Sequence, residues 1–119
     1  MKQNTFLSGL FAAGLLLFTL ASSAAEPVWI DVRTDKEYQE SSISGHPNIL
    51  YTEIADKIAS VVTDKDAPIY LYCGSGRRAG VARETLEKMG YTQVTNAGGI
   101  DSVREQLAKE STPQVTATP

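Results

Sequence analysis

The chain has 119 residues, a net charge of −3 and 21% charged side chains, which is enough for one domain and too little for two. The acidic balance gives it no electrostatic reason to seek nucleic acid or an anionic membrane surface. A single cysteine excludes an internal disulfide, and one cysteine with one histidine, His46, cannot supply a set of zinc ligands, so no metal or organic cofactor is implied.

The first stretch has the layout of a secretory leader. Lys2 gives a positive start, Phe6 to Leu20 is an apolar run, and small residues from Ala21 to Ala25 precede Glu26-Pro27. The competing reading is a retained anchor, but a run of roughly 15 residues is short for a span of about 20. No cysteine lies near the cut, which excludes a lipoprotein anchor. The sequence thus divides into a signal peptide at 1–25, a domain at 26–110 and a tail at 111–119 with the composition of a disordered segment. Removing the leader takes away Lys2 and no acid, so the remainder is one unit more negative. Exported small domains usually carry disulfides. The lone thiol of Cys73 therefore needs a reason, either as an inert core residue or as a nucleophile, and counting does not choose between them.

Within the domain, Val28 to Val32 predicts a short strand. Thr34 followed by Glu37 predicts a capping box and a short helix to about Glu40. Ser41 to Asn48 forms a loop, in which His46 beside Pro47 is most simply a loop residue. Ile49 to Tyr51 predicts a brief strand, and Ile54, Ile58 and Val61/Val62 fall at helical spacing. Pro68 to Tyr72 is a near-continuous apolar strand of the kind buried on both faces. It runs into Cys73-Gly74-Ser75-Gly76-Arg77-Arg78, after which a helix opens with Val81, Ala82, Thr85, Leu86 and Met89 on one face and Gly90 as its cap. Tyr91 to Asn96 predicts another strand, Gly98-Gly99 a turn, and Ile100, Val103 and Leu107 the stripe of a final helix. Strands alternating with helices argue for an α/β fold, a short parallel sheet flanked by helices on both faces.

In open parallel sheets, ligands bind beyond the carboxyl ends of the strands, and Cys73 is placed there. Gly74 and Gly76 let the backbone bend and expose its N–H groups. A helix N-terminus adds its positive end, and Arg77 and Arg78 add fixed charge. Such surroundings favour a thiolate and would also hold an oxyanion. Arginines in a helix's first turn oppose its dipole, which argues for anion binding, with Arg78 favoured over Arg77. Asp31 and Arg33 are better explained as an ion pair fixing the strand–helix junction than as chemistry. Tyr70 and Tyr72 fit strand packing. Gly74-x-Gly76-x-x-Ala79 satisfies a loose dinucleotide fingerprint, but the domain is too small for two nucleotide-binding halves and no acid sits at the expected distance.

The loop Cys73-Gly74-Ser75-Gly76-Arg77-Arg78 resembles the C-x-x-G-x-R pattern of the rhodanese family. Trp29-Ile30-Asp31-Val32-Arg33 with Glu37-Tyr38, Gly45 with Asn48-Ile49, and Asn96-Ala97-Gly98-Gly99-Ile100 match in the same order. The resemblance covers about Val28 to Lys109 and is nearest to the family's small, exported, single-domain type. It implies a rhodanese-like single domain in a bacterial-type periplasm. It also implies a thiosulfate sulfurtransferase that moves sulfur through a Cys73 persulfide, with thiosulfate as anionic donor and cyanide or a thiol, a protein thiol included, as acceptor. By the same resemblance, the N–H groups of Gly74, Ser75, Gly76, Arg77, Arg78 and Ala79 hold the persulfide. The lack of a second cysteine fits, since a resolving thiol would discharge the sulfur as a disulfide. The chain departs from the family pattern at His46-Pro47 and Leu50, which bears on loop shape, and at Gly74, which predicts a wider or more mobile pocket.

Two rivals use the same loop. A non-catalytic sulfur carrier or anion-binding module would hold the same persulfide, with turnover that depends on a partner. A cysteine-dependent phosphatase normally places one more residue between Cys and Arg; here Arg78 stands at C-x₄-R and the next position is Ala79.

Overall fold

A computed structural model describes residues 26–111. The expected leader and the remainder of the expected tail, residues 112–119, lie outside the described residues. Three parallel strands form the sheet: β1 (Val28–Asp31), β2 (Ile69–Cys73) and β3 (Val94–Gly99), in the order β1-β2-β3 with β2 central. Val28 pairs with Ile69 and Asp31 with Tyr72, while Ile69 pairs with Val94 and Leu71 with Asn96. The helices are α1 (Asp35–Glu40), α2 (Ile54–Lys57), α3 (Arg77–Lys88) and α4 (Ile100–Ser111), and short 3₁₀ turns at Tyr51–Glu53 and Ile58–Ser60 flank α2.

Alternation along the strands sends side chains to two cores. Ile30, Ile69, Leu71 and Cys73 face Ile54 and Ile58 of the α2 segment and Ala79, Ala82 and Leu86 of α3. Each fully buried Ile or Leu there contributes about 1.5–3 kcal/mol of burial. On the opposite face Tyr72 packs with Ile100 and Val103 of α4, bordered by Trp29, Ile43, Ala97 and Leu107. Helices therefore cover both faces, as the alternation of elements implied.

Five local expectations are corrected. Ile49 to Tyr51 is not a strand: only Asn48 bridges to Asp31, and a 3₁₀ turn begins at Tyr51. Ile49 and Tyr51 instead donate their N–H groups to Asp31 and Val32 carbonyls, tying this segment along β1 without a regular ladder. The buried stripe of α3 is Ala79, Ala82 and Leu86, while Val81 stands 49% exposed. Gly98-Gly99 is the end of β3 rather than a free turn, and Ser111 is the last residue of α4. His46 is held more firmly than a plain loop residue: its ring stacks on Trp29 and its Nδ1 lies 2.8 Å from the Tyr72 hydroxyl.

Candidate active site

Because the three strands run in one direction, Asp31, Cys73 and Gly99 finish at the same edge of the sheet. Cys73 closes the central strand, has no exposed surface of its own, and leads directly into the Gly74–Gly76 turn. Gly76 sits at φ +97°, a conformation open to glycine, and serves as the N-cap of α3. This bend folds the turn back over the sulfur. The Gly76 N–H donates to Cys73 Sγ at 2.9 Å, and the N–H groups of Ser75, Arg78 and Ala79 are also directed at it. Burial pushes the Cys73 thiol up, but the donors from Ala79, Ser75, Gly76 and Arg78 outweigh it and hold the group below the ordinary cysteine value.

The six residues expected around the sulfur divide by role in the geometry. Ser75, Gly76, Arg78 and Ala79 surround Sγ with N–H groups. Gly74 instead provides room, since a Cβ there would stand 3.3 Å from Arg78 Nη2. The space expected as extra pocket width is thus occupied by the Arg78 guanidinium. Arg77 lies on the exposed face of the first turn of α3, with no side-chain hydrogen bond or ion pair among the described residues.

Arg78 is fixed by Glu37, which the sequence marks for capping and within the family's entry motif but not as its partner. Its Nη1 and Nη2 donate to Glu37 Oε1 and Oε2 at 2.9 and 3.2 Å. Glu37 also completes the expected capping box: its N–H donates to Thr34 Oγ1 at 3.1 Å, and its Oε1 accepts from the Thr34 N–H at 3.0 Å. The Arg78 guanidinium, with the Thr34 N–H, holds the Glu37 carboxyl down to about 2. The sulfur itself also draws on Arg78, whose ionised form is favoured first by Glu37 and further by Cys73.

Asp31 and Arg33 form the expected junction. Asp31 is fully buried, and Arg33 reaches it through Nε and Nη2 at 3.0 and 2.9 Å. Arg33 Nη2 also donates to the Ser41 carbonyl at 2.6 Å. These bonds bind β1 to the loop after α1 and leave the Cys73 loop alone. Sequence reasoning missed Glu37 as the partner of Arg78 and Asn96 as a partner of the loop, whose Nδ2 donates to the Gly76 carbonyl at 2.9 Å. Local spacing carries no signal for either; only the shared edge of the sheet brings them in.

Residues 19–106 match the model of the rhodanese-like domain. The chain is 44% identical over 98 residues to the thiosulfate sulfurtransferase PspE of Escherichia coli K12, covering 82% of this chain and 92% of that protein. It is 37% identical over 80 residues to a putative sulfur carrier protein, YrkF, of Bacillus subtilis, covering 67% of this chain and 41% of that one. Among solved structures, an E. coli rhodanese described with anions superposes with a TM-score of 0.62 at 43% identity, over 65% of this chain and 91% of that one.

Proposed function

The chain belongs to the rhodanese-like family, and on that ground we propose that it is a thiosulfate sulfurtransferase working through a Cys73 persulfide. The observation that carries the reading is the sulfur-centred cradle: one buried Sγ, four backbone N–H groups aimed at it, and a guanidinium alongside. Such a cradle stabilises an anion without a general base.

In the first half-reaction the Cys73 thiolate attacks the outer sulfur of thiosulfate. A new S–S bond forms, the bond between outer sulfur and sulfite sulfur breaks, and sulfite leaves with the electron pair. Charge balances, because a thiolate and a dianion give a persulfide anion and a dianion. The N–H groups of Ser75, Gly76, Arg78 and Ala79, which hold the thiolate, then hold the persulfide. Arg78 meets the sulfonate end of the donor, and Gly74 leaves it room to do so. In the second half-reaction cyanide or a thiolate attacks the outer sulfur, and Cys73 returns as thiolate.

The same reading takes residues 1–25 as a leader, 26–111 as the domain and 112–119 as a tail, with export to a periplasm. It is supported by the apolar run after Lys2 and the small residues before Glu26. No helix among the described residues is long and apolar enough to cross a membrane.

Intact mass before and after thiosulfate tests the proposal. The expected result is a gain of one sulfur atom on the wild-type chain, reversed by cyanide with thiocyanate released, and no gain on a folded Cys73→Ser variant. An unloaded wild-type Cys73, or turnover retained by Cys73→Ser, would overturn it. A loaded protein that discharges slowly to cyanide but rapidly to one protein thiol would shift the reading to a sulfur carrier.

A further inference from the structure

The sheet register breaks beside the sulfur. Leu71 pairs with Asn96, but Cys73 pairs with Gly99, so β3 has three steps where β2 has two. The extra residue is a bulge, and bulges re-aim side chains. Asn96 is the last residue in register before it, and its amide spans the break. Its Oδ1 accepts from the Gly98 N–H at 2.9 Å, which holds the bulge, and its Nδ2 donates to the Gly76 carbonyl at 2.9 Å, which reaches across to the loop. The amide seats against the first turn of α3. A Cβ at Gly80 would stand 3.4 Å from Nδ2, and one at Gly76 would stand 3.7 Å from Oδ1.

We propose that Asn96 is a positioning residue for the sulfur cradle: by gripping the Gly76 carbonyl it sets the direction in which the loop amides donate to Cys73 Sγ. Gly76 is the right residue to grip. It contributes a direct N–H to the sulfur, it has an unusual φ that must be kept, and its carbonyl begins α3 by accepting from the Gly80 N–H at 3.0 Å. The Gly76 carbonyl therefore has two donors, one from the helix and one from the far strand, and cannot swing without losing one. The Arg78 and Ala79 amides follow in the same turn, so their direction depends on the same anchor. Asn96 touches neither sulfur nor donor, so its action is entirely through the loop. The inference rests on the sulfur-transfer reading only for its effect on turnover, since the geometry concerns the thiolate itself.

The test reads the thiolate directly. The rate of Cys73 alkylation by iodoacetamide is followed against pH in the wild type, Asn96→Ala and Asn96→Ser, with circular dichroism as the check on folding. Serine keeps a hydroxyl that can hold the Gly98 N–H but is too short to reach Gly76, so it separates the bulge from the anchor. Both variants should show an alkylation midpoint moved to higher pH. At a fixed pH below the wild-type midpoint the rate should fall about tenfold, the effect of losing about one charge-assisted hydrogen bond. Sulfur loading from thiosulfate should fall in parallel. An unchanged midpoint in either folded variant would overturn the proposal, as would loss of the fold in both, which would make Asn96 a determinant of the fold rather than of the cradle. Failure of the wild type to load sulfur would count against the sulfurtransferase reading and leave the alkylation result to decide the role of Asn96.

Discussion

Both carboxylate oxygens of Glu37 are engaged by Arg78, and one of them also closes the N-terminus of α1. The exchange Glu37→Gln separates these duties, because glutamine serves a capping box as well as glutamate does but offers Arg78 no charge. The melting temperature should therefore fall by no more than about 8 °C, the weight of about 1 kcal/mol of lost ion pair in a domain of this size. The KM for thiosulfate should rise about fivefold, the weight of a partly exposed ion pair at its upper range of about 1 kcal/mol. Steady-state kinetics beside a thermal melt checks this; an unchanged KM would mean that Arg78 keeps its place without Glu37. The capping half of this arrangement was legible from Thr34 and Glu37, which stand three positions apart and obey a local rule. The pair with Arg78 spans 41 positions, and no local rule reaches that far.

Where β3 meets the Cys73 loop, two backbones touch without side chains between them. A Cβ at Gly99 would stand 2.5 Å from the Gly74 carbonyl oxygen and 3.6 Å from Ser75 Cα, so Gly99→Ala must push strand and loop apart. The expected cost is about 1–3 kcal/mol of stability, in the range of overpacking, together with reduced sulfur loading, measured by urea unfolding and intact mass. A variant as stable and as readily loaded as the wild type would show that the contact is slack. At this scale the sequence was read well where an element buries itself by its own pattern, as with the apolar β2 and the Thr34-capped α1. It was read poorly where a neighbour decides. Ile49 is apolar enough for a strand, yet the chain turns at Tyr51 after a single bridge. The face of α3 was displaced because Ala79, small and unremarkable in sequence, meets the sheet while Val81 does not. The bulge in β3 was invisible, since it is a property of the pairing between two strands.

The whole domain answers to pH through two groups of opposite charge type. Burial holds the His46 ring below its ordinary value of 6.5, so the folded protein takes up that proton less readily than the unfolded chain. Stability is whole above about pH 6.5 and declines as pH falls below it. Glu37, held at about 2, contributes stability above about pH 4.3 that is lost between there and about 2. Urea unfolding should therefore show falling stability from about pH 7.5 to 5.5, and His46→Gln should flatten that limb while leaving the more acidic one. A flat wild-type profile would mean that His46 does not feel its burial beside Trp29 and Tyr72. There is also a consequence of Cys73 having no exposed surface. An empty molecule offers its sulfur only to a reagent small enough to enter the turn, whereas a loaded one carries its outer atom about 2 Å farther along the S–S bond. Whether the protein is loaded is thereby advertised by reach alone: an acceptor too bulky to enter the turn is blind to the empty protein and meets only the full one.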